Sequence, residues 1–207
     1  MKPVAVVTGG SGGVGRAVGS ELRRRGFEVV SWSRTDGVDV GDEKQVERAA
    51  AGLSRLDALV NSAAVLIPRA FAEMEAEAWD ETLRVGLRGA FLCSRAAFRR
   101  MEPGGAIVMV SSLSGWWGAE KFPRMAAYVA AKSGLAGLTE ALAVEGRPLG
   151  IRVNAVSPGS VRTPMLDLAG APPDPALEPE EVARIIGWLA SPESAPLSGA
   201  NLRIDPS

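Results

Sequence analysis

The chain predicts an α/β fold: a single doubly wound parallel sheet with helices on both faces. Two observations predict it. Short apolar runs rich in β-branched residues alternate with longer helical patterns along the whole sequence. The first of these runs leads directly into a glycine-rich turn that opens a helix. Strands separated by helices must be joined by crossovers, which makes the sheet parallel and buries both of its faces.

Taken in order, the strands are expected at Val4–Val7, Phe27–Trp32, Leu56–Val60, Ala106–Val110, Ile151–Val156 and Ala200–Ile204. The last is the weakest pattern, because Arg203 interrupts it. Helical patterns fall between them at about Val14–Arg25, Lys44–Leu53, Glu75–Arg100, Ala126–Glu145 and Pro179–Ala190. A further strand is expected at Gly37–Val40, with only Ser33-Arg34-Thr35-Asp36 between it and Trp32, too short for a helix. Pro164–Glu178 carries Pro164, Pro172, Pro173 and Pro175 and reads as an irregular surface loop or substrate lid.

At 207 residues the chain suits one domain, residues 1–207, with one core. Its 46% hydrophobic and 23% charged residues are ordinary for a soluble globular protein. The net charge of −1 gives no electrostatic reason to expect nucleic acid or an anionic membrane as partner. No apolar run approaches a membrane span and the N-terminus lacks a signal-peptide pattern, so the expected location is cytoplasmic. The single cysteine, Cys93, sits in an apolar stretch and reads as a buried structural thiol. There is no histidine, which excludes Ser-His-Asp hydrolysis and imidazole-based metal sites, and no metal is expected.

Tyr128 and Lys132 lie four apart in a helical pattern, so phenol and ammonium share a face. A neighbouring ammonium favours the phenolate, which makes the pair a substitute for the absent histidine. Upstream, Thr8-Gly9-Gly10-Ser11-Gly12-Gly13-Val14-Gly15 follows the first strand and opens the first helix, the sequence pattern of a Rossmann dinucleotide site. Glycines let the backbone approach a phosphate, and the helix N-terminus supplies free N–H groups. At the end of the second strand, Ser33-Arg34 fits the 2′-phosphate of NADP(H), with Ser11 as a second phosphate ligand. The other reading leaves Arg34 solvated and has Asp36 reach the ribose of NAD(H). Asp39-Val40 is placed to meet the adenine.

With these pieces together the chain resembles the short-chain dehydrogenase/reductase family, in particular its NADPH-dependent, 3-oxoacyl-reductase-like branch. The resemblance covers essentially the whole sequence. It rests on Thr8, Gly9, Gly13 and Gly15, on Asp39-Val40, on Asn61-Ser62-Ala63-Ala64, on Ser111-Ser112-Leu113-Ser114-Gly115, on Tyr128 and Lys132, and on Pro158-Gly159 followed by Val161 and Thr163. It implies hydride transfer between NADP(H) and a carbonyl or secondary alcohol, with Tyr128 exchanging the proton. Lys132 would lower the phenol's pKa and bond the nicotinamide ribose, and Ser112 would hydrogen-bond the substrate oxygen, leaving Ser111 to cap the strand end. Pro158, Gly159, Val161 and Thr163 would hold the carboxamide side of the nicotinamide, while Asn61 and Ala63 belong to the segment beside the cofactor. The resemblance also implies a homodimer or homotetramer built on the helices at Glu75–Arg100 and Ala126–Glu145.

The chain departs from the family at Ala64, where a glycine is usual, and at Gly86, where an asparagine is usual. The loop at 164–178 is short and the helix after the second strand is missing. These departures motivate an alternative, a dinucleotide-binding regulator or scaffold with weak or no catalysis. Trp116-Trp117 has two readings, as the wall of an apolar pocket or as packing against the core or a neighbouring subunit.

Overall fold

Six of the seven expected strands form, and they pair in one parallel sheet. The computed structural model describes residues 2–170 and 174–206. The strands are β1 (Val4–Thr8), β2 (Glu28–Trp32), β3 (Ala58–Asn61), β4 (Ala106–Val110), β5 (Arg152–Pro158) and β6 (Asn201–Ile204), in the order β2-β1-β3-β4-β5-β6. Each pair is parallel, with Val6 opposite both Val30 and Leu59, for example. Because β2 and β3 lie on opposite sides of β1, the chain reverses its winding there, which opens a crevice at the carboxyl end of the sheet.

Alternate residues along each strand feed two cores. Val6, Leu59, Ile107, Met109, Val153 and Ala155 face α2 (Glu43–Ala51), α4 (Gly89–Phe98) and α5 (Ala126–Gly146). Ala5, Val7, Val60, Val108, Val110 and Val156 face α1 (Gly13–Arg24) and α7 (Pro179–Ala190). Burial on both faces explains why the strands read as continuous apolar runs rather than as alternating patterns. Cys93 is buried in the first core. Among the described residues no helix is long and apolar enough to cross a membrane.

Three expectations need correction. The strand at Gly37–Val40 does not form: Arg34–Asp36 makes a 3₁₀ turn, Gly37 follows in the left-handed region, and Val38–Val40 belongs to no strand. The helix at Glu75–Arg100 is α3 (Ala76–Leu83) and α4 joined by a π-helical turn, Arg84–Arg88, with Gly86 buried at its centre. The proline-rich segment is not wholly irregular, since Pro164–Ala169 forms a short helix, α6. Pro164 stands where its missing N–H costs nothing, and Gly170 ends the turn in the left-handed region. Pro172 and Pro173 lie outside the described residues.

Candidate active site

The crevice at the carboxyl end of the strands is a cleft of about 890 Å³. One end is built by the glycine turn. Thr8 closes β1, and its hydroxyl accepts the N–H groups of Ser62 and Ala63 at 3.0 and 3.0 Å, tying the ends of β1 and β3 together. Gly9 has φ +66°, and a Cβ there would lie 2.9 Å from the Ala63 Cα. A Cβ on Gly13 would lie 2.4 Å from Thr163 Cγ2, so the start of α1 sits directly against the loop after β5. By contrast, a Cβ on Gly12 would meet nothing nearer than the Gly9 carbonyl at 3.5 Å. The N-terminus of α1 thus faces open cleft, with its first N–H groups free for an anion.

At the end of β2, Arg34 is exposed, lines the cleft and forms no ion pair among the described residues. Asp36 is turned the other way. Its carboxylate accepts the Ser31 hydroxyl at 2.7 Å and the Ser33 hydroxyl in a very short contact, and the hydroxyl of Ser33, then that of Ser31, hold it below the usual carboxylate range. Asp36 does not line the cleft, whereas Ser33, Asp39 and Val40 do.

Ser112, Tyr128 and Lys132 line the same cleft. Ser112 stands at the end of β4, where its hydroxyl accepts the Ser114 N–H at 3.1 Å and hydrogen-bonds the Tyr128 phenol. Gly115 brings this turn against α5, since a Cβ there would lie 2.5 Å from the Lys132 carbonyl carbon. Ser111, expected to cap the strand, instead donates its hydroxyl to the Lys132 carbonyl at 2.8 Å and so fastens β4 to α5. Tyr128 and Lys132 project from the same face of α5 into the cleft.

The electrostatics differ from the sequence expectation. Burial pushes the phenol of Tyr128 up to about 12, opposed only by the Ser112 hydrogen bond. Burial likewise brings Lys132 down to about 8. The lysine is 3% exposed, donates to the Val110 carbonyl at 2.7 Å, and lies 5.4 Å from the centroid of the tyrosine ring. Spacing puts the two groups together but does not reveal how dry the site is, and desolvation opposes the pull of the ammonium on the phenol.

Of the residues predicted for the site, Gly9, Ser11, Gly12, Gly13, Val14, Gly15, Ser33, Arg34, Asp39, Val40, Ala63, Ser112, Tyr128, Lys132, Pro158, Gly159, Val161 and Thr163 all line this one cleft. Asn61 does not; it is buried behind the wall and donates to the Ser94 hydroxyl at 3.0 Å. Neither tryptophan lines the cleft, and Trp117 is 97% exposed. The apolar wall beside Tyr128 comes instead from Leu113, Phe122, Met165, Leu166 and Leu168, the last three supplied by α6. Their signal in the sequence was Pro164 at a helix start and Gly170 at its end.

The sheet order, the glycine turn and the Ser-Tyr-Lys wall define a dinucleotide-dependent oxidoreductase architecture, and the chain belongs to the short-chain dehydrogenase/reductase family. A family profile described as enoyl-(acyl carrier protein) reductase matches residues 36–206. Among similar proteins, a cis-4-hydroxycyclohexanecarboxylate dehydrogenase from Sinomonas cyclohexanicum is 37% identical, covering 98% of this chain and 94% of that one. An acetoacetyl-CoA reductase from Allochromatium vinosum is 32% identical over 99% of this chain and 98% of that one. A dehydrogenase/reductase of known structure from Sinorhizobium meliloti 1021 superposes with a TM-score of 0.87 at 30% identity, covering 98% of this chain and 93% of that one. The alignment with the Sinomonas enzyme runs over 243 positions although this chain has 207 residues, so that relative carries extra residues within the shared fold.

Proposed function

We propose that the protein transfers a hydride between NADP(H) and a carbonyl or secondary alcohol, with Tyr128 giving or taking the proton. The observation that carries this is the meeting of Ser112, Tyr128 and Lys132 in the same cleft as the glycine turn. The glycine turn fits a dinucleotide, because Gly9 and Gly13 occupy places a Cβ would fill while Gly12 faces open space. The nicotinamide supplies the hydride chemistry when bound. Ser11, Gly12 and Gly13 at the head of α1 would hold the pyrophosphate, and Pro158, Gly159, Val161 and Thr163 the nicotinamide end. The unpaired Arg34, with Asp36 turned away, supports a 2′-phosphate and hence NADP(H) over NAD(H).

A phenol held near 12 stays protonated at neutral pH, which suits it to donate to a carbonyl oxygen. The Ser112 hydroxyl, within hydrogen-bond reach of the same phenol, steadies charge building on that oxygen. The ammonium of Lys132, 5.4 Å from the ring centroid, then reduces the cost of the phenolate left behind. The apolar wall from Leu113, Phe122 and α6 favours a substrate with a hydrocarbon body, in keeping with the relatives named for a hydroxycyclohexanecarboxylate and an acetoacetyl thioester. Self-association through α3, α4 and α5 is part of the same proposal. Those helices leave a surface groove lined by Leu83, Leu87, Phe91 and Leu138.

The test is Tyr128→Phe, assayed by NADPH consumption over a panel of small ketones and 3-oxoacyl thioesters. Loss of about a hundredfold to ten-thousandfold in turnover is expected, the range of a positioned proton donor. Parent-like turnover by the variant would remove Tyr128 from its role. Tight nucleotide binding by the parent with no turnover on any carbonyl would instead favour the regulator.

A further inference from the structure

The segment Val38–Gly41 has no strand to hold it, yet it carries Asp39 into the cleft wall. Its backbone is held by Gln45 of α2, whose side-chain oxygen accepts the Asp39 N–H at 2.9 Å, and by the Val38 N–H donating to the Ser33 carbonyl at 2.9 Å; the Asp39 carboxylate is held by the π turn. Arg84 reaches across and pairs with the Asp39 carboxylate, Nη2 to Oδ2 at 3.0 Å and Nη1 to Oδ1 at 3.1 Å. The Gly41 N–H adds a bond to Oδ1 at 2.9 Å. On its far side the guanidinium is fixed by Glu81, whose oxygens accept Nε at 2.6 Å and Nη2 at 3.1 Å. The fit is close: a Cβ on Gly41 would lie 2.0 Å from Arg84 Nη1, and one on Gly89 would lie 2.9 Å from Val40 Cγ2.

A carboxylate accepts about four hydrogen bonds. Two hydrogen bonds fill Oδ1, while Oδ2 meets Arg84 Nη2 only as an ion pair at 3.0 Å, so Oδ2 keeps acceptor capacity, and Asp39 remains a quarter exposed. We infer that Arg84 is a positioning residue for nucleotide recognition: it aims Asp39 so that Oδ2 accepts the exocyclic amine of adenine. The inference rests on the dinucleotide reading given above. Arg84 also favours the charged form of the acceptor. Burial works to raise the Asp39 pKa, but the Arg84 hydrogen bond, the Gly41 N–H and the charges of Arg84 and Arg34 outweigh it and leave the group below its ordinary value. An ionised acceptor held against position 6 favours the donor amine of adenine over the acceptor carbonyl of hypoxanthine; hypoxanthine's other change at that edge, an N1–H donor, lies one atom away and is reached only if Asp39 is free to shift.

The experiment compares NADPH, or NADH if that is the form bound, with its deamino analogue, in which hypoxanthine replaces adenine. Dissociation constants are read by nucleotide fluorescence. The parent should prefer the adenine form by roughly tenfold, the worth of one hydrogen bond to a charged group. Arg84→Gln should reduce that preference to about twofold or less, and Arg84→Lys should restore part of it. A merely structural role for Arg84 would weaken both nucleotides alike and leave the ratio untouched, which would overturn the inference. Should Arg84→Gln fail to fold, Glu81→Gln, which frees the guanidinium on its far side, must lower the ratio in the same direction; an unchanged ratio there is equally fatal. A parent that binds both forms equally overturns this inference alone, whereas a parent that binds neither removes the dinucleotide reading and this inference together.

Discussion

Lys132 shows what burial adds to a pair of residues. Its ammonium is held at about 8 in the folded protein against 10.5 for the free side chain, because it sits in a dry wall with one carbonyl as its partner. The folded pKa is depressed, so between about pH 8 and 10.5 the unfolded chain binds more protons and stability rises with pH. Below pH 8 the cost of the buried charge is present in full. Relative to Lys132→Met, which has no such group, the parent protein without nucleotide should gain about 2 kcal/mol between pH 7.5 and 9.5. Urea midpoints of the two proteins at both pH values measure the gap; a gap that stays flat or narrows would contradict the depressed value. Tyr128 is common to both proteins, so its own rise to about 12 drops out of the comparison.

Among the elements, the stretch after β2 carries the proposed preference for NADP(H). Ser33 hands its hydroxyl to Asp36, and Arg34 is left facing the cleft with no ion pair among the described residues, although its charge still acts on Asp39. Arg34→Gln should therefore weaken NADPH about tenfold or more while leaving NADH within about twofold. Titration of the variant with both nucleotides checks this, and equal losses would return Arg34 to solvent. The same stretch marks where the sequence was and was not legible. The six strands and the helix α7 beginning at Pro179 could be read directly, because each follows from local pattern, whereas the Ser112–Tyr128–Lys132 set was legible only through the family resemblance, spacing alone pairing just Tyr128 with Lys132. Val38–Val40 resembles a strand only in composition; the outer edge of β2 is free, but the 3₁₀ turn at Arg34–Asp36 and the left-handed Gly37 carry the segment on without pairing there. The π turn at Arg84–Arg88 was illegible too, because it is defined by which carbonyl each backbone N–H reaches, and side-chain identity does not specify that. Gly86 lies inside that turn with its backbone carbonyl retained, so the family's usual asparagine side chain is lost but the bend in the helix is not.

The whole molecule is a shortened member of its family. The alignment with the Sinomonas enzyme runs to 243 positions against 207 residues here, and the helix expected to be missing after β2 is present as α2, which follows the 3₁₀ turn and leads into β3. The economy leaves the helical face intact. Gly137 on α5 has nothing within 4 Å of where its Cβ would stand, and Phe91 across the groove is 44% exposed. Gly137→Arg would fit the helix sterically while placing a charge in the proposed contact between subunits. Light scattering after gel filtration should find a dimer or tetramer for the parent and a smaller species for the variant, with the thermal midpoint of the monomer unharmed. A parent that elutes as a monomer would refute the contact.

The parallel sheet has a last consequence, for how the chain reaches its native state. No strand pairs through a tight hairpin: Ala5 must find Val29 and then Ala58, and Val156 must find both Val110 and Leu202. Each pairing closes a long loop before any burial repays it, so assembly is paced by topology rather than by local propensity. During that interval valine-rich segments such as Val4–Thr8 stand bare, and they are the part of this molecule most exposed to mispairing with another copy.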